Sequence, residues 1–490
     1  MTHNASEPID LGSRKHLFID SSLIDQVKNV TLRMNPPRVG GVAIHRDRAW
    51  EHHLHFPNTV IDDDGLARMW YASSHMGAGN LNSFRWGYAE SLDGIHWNKP
   101  NLGLVELDRD WANNLLPGTP GSVFKDPTAP SEERYKGYWL NRDPDVGSLG
   151  LGYFASADGL RFTWIGGNGV QLIGDTQNQV FWDARIGRYV AYLRKWVPTG
   201  RDEKWLSAVG PWRRAVARWE TNDLTSRDGW QLTESPVQPG ESALLTTELP
   251  TVLALDDLDP PDMDIYTPSV VKYPGADDVY ISTFSTYRHF TELEIRDANP
   301  PNNDGLMEIQ LAVSRDGITW DRPDRRPYVR LDPAGPRSQM IYSALGMVIR
   351  NHTIYQYGTA YDQSHGLKRS NNPGGQIIWT EQRLDGFVGA EAAYGGGELI
   401  TKPMNVAGRR LELNIDASAS GDARVELQDF EGRPIAGYTL DACDRVLGNH
   451  IRHVVTWHGD SALPVEAGQP LRLRFSMRGA RLYAFQFVDE

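Results

Sequence analysis

The chain has 490 residues and a formal net charge of −13, with 40% hydrophobic residues, 23% charged residues, 47 glycines and 30 prolines. That length exceeds one ordinary core and calls for two or more domains, or one large repeat domain with a small one. The acidic balance argues against nucleic acid or an anionic membrane as the main partner, since phosphate binding needs clustered Lys and Arg. Cys443 stands alone, which excludes an intrachain disulfide. No apolar run approaches the roughly 18 residues of a membrane span. The N-terminus lacks a basic stretch followed by an apolar one, so the expectation is a cytoplasmic protein.

In chain order, residues 13–35 read as an edge or closing strand. A first unit follows with "NTVID", a "DDG" turn, "ARMWYASS" and "FRWGYAES". The second unit carries "SVFKD", "RYKGYWLNR", "LGYFASADG" and "FTWIG"; the third carries "NQVFWD", "RYVAYLRKW", "RRAVARWET" and "GWQLT". The fourth runs through "PSVVKY", "DVYISTFSTY" and "MEIQLAVSRDG". The fifth runs through "SALGMVIRN", "TIYQYGTAYD" and "QIIWTEQRLDG". These runs are rich in Val, Ile, Tyr, Phe and Trp and are split by Gly, Asp, Asn and Pro, which is the signature of short strands. An Asp-Gly turn recurs at Asp93, Asp158, Asp228, Asp316 and Asp385, at spacings of 65, 70, 88 and 69 residues. Asp bonds its own backbone and Gly tolerates positive φ, so the motif turns the third strand into the fourth, and the aromatic after it packs between units. Five units of about four strands predict an all-β, five-bladed β-propeller over residues 1–394. The tail from 395 to 490 alternates apolar and polar residues with period two, in "RRLELNIDAS", "ARVELQDFEG", "LRLRFSMRG" and "RLYAFQFVDE". It predicts a separate antiparallel β-sandwich.

Five blades followed by a sandwich resembles the layout of glycoside hydrolase family 32, whose propeller also serves families 43, 62, 68, 117 and 130. The stretches that carry the resemblance are "LFIDSSLI", "ARMWYASS", "YAESLDGIHWNKPNLGLVE", "KDPTAPSEERYKG", "DTQNQVFWDARIGRYVAYLR", "VSRDGITWDRP" and "GGGELITKPMNVAGRRLELN". Two family motifs are missing: the Trp-Met-Asn-Asp-Pro-Asn-Gly nucleophile motif and the Glu-Cys acid/base pair. The Arg-Asp-Pro motif has two echoes, at 125–127 and 142–144, and Asp126 is preferred over Asp143 because it is read as opening the second inner strand.

The resemblance implies catalytic groups gathered in the central funnel from the starts of successive inner strands. Glycoside hydrolysis needs two carboxyl groups, one protonated for the leaving oxygen and one that attacks or activates water. By position Glu51 is the nucleophile or general base, Asp126 the transition-state stabiliser and Asp175 the general acid. His53, His55, Gln177, Asp264, Tyr266, Arg337, Gln339 and Tyr342 would bind substrate. The histidines at 52, 53 and 55 have no Cys or close carboxylate to complete a zinc site. No cofactor or metal site is therefore assigned, while the central channel leaves room for a structural ion. The implied partner is a carbohydrate, and a homo-oligomer is compatible with the sequence. The expected activity is hydrolysis of a furanoside or short oligosaccharide, of the fructosidase or arabinofuranosidase kind. The alternatives are a non-catalytic carbohydrate-binding propeller, a sialidase-like enzyme, or a lyase or phosphorylase on the same fold.

Overall fold

The structure is a computed structural model that describes residues 7–74, 84–142, 149–167, 177–198, 212–226, 232–234, 242–244, 249–290, 304–366, 374–464 and 469–489. It is all-β: among the described residues there is one 3₁₀ turn, Ser131–Glu133, and no α-helix. No helix among them is long and apolar enough to cross a membrane.

Residues 53–383 form successive antiparallel sheets. The first orders His53–Asp63, Leu66–Ser74, Phe84–Ser91 and Leu115–Leu116. Its hairpin turns at Asp64 and Gly65, with φ of 52° and 94°, the pair of positive angles that a two-residue hairpin needs. The second sheet orders Ser122–Lys125, Tyr135–Arg142, Leu149–Ser156 and Thr163–Gly167. The third orders Gln179–Asp183, Arg188–Pro198, Trp212–Thr221 and Thr251–Leu253.

In the fourth unit each strand is broken in two. Val270–Lys272, Tyr280–Ser282 and Ala312–Ser314 form one short sheet, and Met263–Thr267, Ser285–His289 and Gly305–Ile309 continue it. A parallel pairing of Met307 with Met340 joins this continuation to the fifth unit. There Met340–Ser343, Thr353–Tyr361 and Gln376–Arg383 are followed by Arg38–Ile44 from the other end of the chain.

Three of the Asp-Gly turns are built alike, while the one at Asp385 has Arg383 where these have Ser and puts the positive φ on the Asp itself. Ser91 Oγ, Ser156 Oγ and Ser314 Oγ each bond the Asp two residues on, and accept the N–H of the Gly three residues on. Gly94, Gly159 and Gly317 have φ of 79°, 74° and 72°, angles that a Cβ would strain. Each glycine carbonyl then receives a donor from a neighbouring unit: Tyr357 Oη to Gly94 at 2.7 Å, Trp70 Nε1 to Gly159 at 2.7 Å and Tyr192 Oη to Gly317 at 2.9 Å. Trp97 and Trp320 pack edge-on against Tyr357 and Tyr192. The motif is thus a fastener between sheets. Residues 227–230, which hold the Asp228 copy, lie outside the described residues.

A second fastener sits at the hairpin ends of the inner strands. The carboxylate that closes one inner strand accepts a tyrosine hydroxyl from the next sheet: Asp63 from Tyr135, Asp126 from Tyr189 and Asp183 from Tyr280. Between these ends polar side chains join one unit to another. Gln177 Nε2 donates to Ser343 O at 2.9 Å, and Thr283 Oγ1 and Ser343 Oγ bond at 2.7 Å.

The tail forms two antiparallel sheets on one core. One orders Asn449–Val454, Arg410–Asp416, Ala480–Val488, Val388–Ala392 and Val30–Met34, with His16–Leu17 also on Ala480–Val488. The other orders Ile24–Lys28, Gly397–Thr401, Arg472–Arg478 and Asp422–Gln428. Phe18, Leu399, Leu413, Val425, Phe475 and Phe485 are buried together between them. Two readings of the sequence change here. Residues 16–34, expected to edge or close the repeats, pair instead with the tail, and the strand that pairs with the fifth unit is Arg38–Ile44. The tail's sheet also reaches back across residue 395, because Val388–Ala392 pairs with Ala480–Val488. Both pairings are non-local, and alternation of residue types along one strand does not specify its partner.

Candidate active site

Away from the hairpin ends, side chains of the first, third, fourth and fifth units meet. Asp264, on Met263–Thr267, receives Arg214 Nη1 at 2.7 Å and His289 Nε2 at 3.2 Å. Burial alone would raise this carboxyl, but the interactions with Arg214 and His289 outweigh it and hold it well below the usual carboxylate range. Its Oδ1, His289 Nδ1 and Arg214 Nε are buried without a hydrogen-bond partner among the described residues.

Two residues further on, Tyr266 Oη and His365 Nε2 are hydrogen-bonded at 3.1 Å. The Arg194 and Arg214 guanidiniums lie 4.5 and 5.2 Å from the Tyr266 ring centre, and Arg214 also stacks on Trp196 at 4.6 Å. Strand pairing sets Trp196 directly opposite Arg214, which places both on one face of the third sheet. From Tyr266 a chain of ring contacts runs through Tyr342 (5.6 Å), Tyr361 (5.7 Å) and His53 (5.5 Å) to His55 (4.4 Å). Tyr287 adds an edge contact to Tyr266 and lies 5.0 Å from His365. None of Asp264, Tyr266, His289, Tyr342, Tyr361 or His365 is more than 4% exposed. Burial pushes the Tyr287 and Tyr361 phenols up, so both stay protonated at neutral pH.

The structure therefore brings His53, His55, Asp264, Tyr266 and Tyr342 into one connected cluster of side chains. Gln177 lies next to it through its bond to Ser343 O. Gln339 joins by its backbone, which donates to Tyr361 O and accepts from Met307 N. Arg337 is held in its own loop by an ion pair with Asp332.

Two of the three expected catalytic carboxylates lie elsewhere. Asp126 does not open the second inner strand; it follows the end of Ser122–Lys125, at the hairpin side. There it accepts Tyr189 Oη at 2.5 Å, Thr128 Oγ1 at 2.7 Å and Thr128 N at 2.9 Å. Glu51 is sealed beside the first sheet, accepting Tyr71 Oη at 2.6 Å and Lys99 Nζ at 2.7 Å. Lys99 comes from the first Asp-Gly turn, 48 residues away. Asp175 lies outside the described residues. His289, His365, Arg214 and Tyr361 had no signal in the sequence read strand by strand. They stand where second strands end and third strands begin, and only the pairing register shows that these positions share one end of the sheets. No group of three or more His, Cys, Asp and Glu among the described residues is arranged to hold a metal ion.

No protein-family model and no curated protein matches the sequence. Among solved structures, the chain is similar to a glycoside hydrolase at 12% identity, covering 71% of this chain and 92% of that one, with a TM-score of 0.45. It is similar to an N-acetylgalactosamine deacetylase from F. plautii in complex with blood group B trisaccharide, at 14% identity, 73% and 96% coverage and a TM-score of 0.42. It is also similar to a thermostable family-43 glycoside hydrolase, at 15% identity, 68% and 92% coverage and a TM-score of 0.37. Likenesses this distant do not fix a reaction.

Proposed function

We propose that this protein is a carbohydrate-active enzyme of the glycoside hydrolase type, with the cluster around Asp264 and Tyr266 at its active site. We read the repeated sheets as five blades of a propeller closed by Arg38–Ile44, and the tail with residues 9–34 as a β-sandwich packed against it. The observation that carries the functional reading is the cluster's composition: an ionised carboxylate fixed by Arg214 and His289, beside a run of aromatic rings. Sugar rings present apolar C–H faces that stack on such rings, and hydroxyl groups that suit the histidines and arginines. A carboxylate held unprotonated in a dry site is suited to meet positive charge growing at an anomeric carbon. A furanoside of the fructose or arabinose kind, or a short oligosaccharide, is our preferred substrate.

The test is hydrolysis of a panel of nitrophenyl furanosides and pyranosides and of fructo-oligosaccharides, with melting temperature followed in parallel. Cleavage of one sugar supports the reading. Sugars that raise the melting temperature without turnover would instead mark a carbohydrate-binding protein, and an inert, unshifted protein contradicts both.

A further inference from the structure

We propose that Tyr266 and His365 are the proton-transfer pair of this site, with Tyr266 giving its hydroxyl proton to the departing glycosidic oxygen and His365 restoring it. The inference rests on the glycoside hydrolase reading above. Hydrolysis of a glycoside needs a group that still carries a proton when the substrate is bound. Asp264 does not meet that need, because Arg214 and His289, both bonded to it, hold it ionised.

The phenols beside it differ in what they face. Tyr361 Oη donates to Leu54 O at 2.8 Å and Tyr342 Oη to Met340 Sδ at 3.7 Å, acceptors that cannot exchange a proton. Tyr266 Oη faces an imidazole nitrogen at 3.1 Å, and a proton can pass either way along that bond.

Both partners are held in place from separate sheets. Tyr266 O accepts Arg194 Nη2 at 2.7 Å, and the two guanidiniums over its ring attract the negative charge that appears as the proton leaves. His365 N donates to Gly305 O at 3.0 Å. On either side of it, Ser364 Oγ and Gly366 N donate to the Asp304 carboxylate at 2.9 and 2.6 Å. Asp304 is thus a positioning residue that pins the His365 turn of the fifth unit onto the fourth.

The step balances as follows. The Tyr266 hydroxyl proton moves to the glycosidic oxygen as that oxygen's bond to the anomeric carbon breaks, with the bond's electron pair going to the oxygen. The proton on His365 Nε2 passes to the Tyr266 oxygen. Water adds to the anomeric carbon and releases one proton to solvent, from which His365 is recharged.

The test compares wild type, Tyr266→Phe and His365→Gln on an alkyl glycoside and a 2,4-dinitrophenyl glycoside of whichever sugar the wild type cleaves. A proton donor matters for the alkyl leaving group and little for dinitrophenolate. Tyr266→Phe should lower kcat about 10²–10⁴-fold on the alkyl glycoside, a general acid's usual share, and at least about tenfold less on the dinitrophenyl one. Equal losses on both would assign Tyr266 to binding or packing and overturn the pair, as would full activity on the alkyl glycoside. A wild type that cleaves no glycoside sinks the hydrolase reading itself. Imidazole proton NMR tests the pair without substrate: the His365 signal is the one missing from His365→Gln. Its titration midpoint should move by about half a pH unit or more in Tyr266→Phe. An unmoved midpoint overturns the coupling whatever the activity.

Discussion

Glu51→Gln keeps the side chain's shape and removes its charge. The Glu51 side chain is wholly buried and Lys99 is 7% exposed, so the variant leaves an ammonium in a dry site facing an amide. Removing one member of a buried ion pair costs about 3–5 kcal/mol. Lys99 keeps Asp47 Oδ1 and His45 O, both at 2.7 Å, so the loss should fall at or below the low end of that range, about 2–3 kcal/mol. Lys99→Met should cost a similar amount. The double variant should be more stable than the sum of the two by about 1–2 kcal/mol, because it leaves no buried unpaired charge; Asp47, which loses Lys99, is exposed to water. Urea denaturation followed by tryptophan fluorescence reads this directly, as a lower midpoint with an unchanged slope. Turnover of any glycoside the wild type cleaves should persist. A Glu51→Gln protein with the wild-type midpoint and no turnover would refute the structural role and return Glu51 to the catalytic set.

Gly335 and Gly346 share φ near 90°, yet a Cβ at Gly335 meets nothing within 4 Å while one at Gly346 lies 1.9 Å from Val60 O. Gly335→Ala should therefore cost about 1–2 kcal/mol of backbone strain, and Gly346→Ala clearly more, measured as the shift in urea midpoint. A chain lacking residues 1–34 strips strands from both tail sheets and uncovers Leu399 and Phe485; it should be recovered as aggregate, whereas a soluble monomer by gel filtration would contradict the pairing. Burial would raise Asp158, Asp183 and Asp316, but the N–H donors of their own turns, with Ser156 and Arg161 for Asp158, Ser314 for Asp316, and Tyr280 and Lys272 for Asp183, hold all three below the usual range. Their stabilisation is complete above the unfolded value of about 3.9 and is lost as pH falls through the lower folded values. Stability should fall below about pH 4 on their account, and Asp316→Asn should show a shallower acid limb.

What could be read in advance was local. Ser91, Asp93 and Gly94 close their turn on one another, so four letters were enough to recognise it. His53, Asp264, Tyr266 and Tyr342 could be singled out because each lies in the strand that opens its unit, and the structure joins them in one cluster. Asp126 was misplaced because "SVFKDP" does not say whether its Asp precedes or follows the strand; the strand is Ser122–Lys125, and the Asp ends it. Glu51 looked like a free carboxylate because its partner Lys99 belongs to a different element. Arg214, His289 and His365 needed the pairing of Trp196 with Arg214 and of the fourth unit with the fifth, which depends on register and not on composition.

The most direct measurement is kcat/KM of Asp264→Asn and Asp126→Asn on a cleaved glycoside, with folding checked by melting temperature. A site at the strand-start end predicts a loss of about 10²–10³-fold for Asp264→Asn, the usual effect of removing an electrostatic stabiliser, and a change within about threefold for Asp126→Asn. Full activity in Asp264→Asn, with the loss in Asp126→Asn, would place the chemistry at the hairpin end and contradict the account.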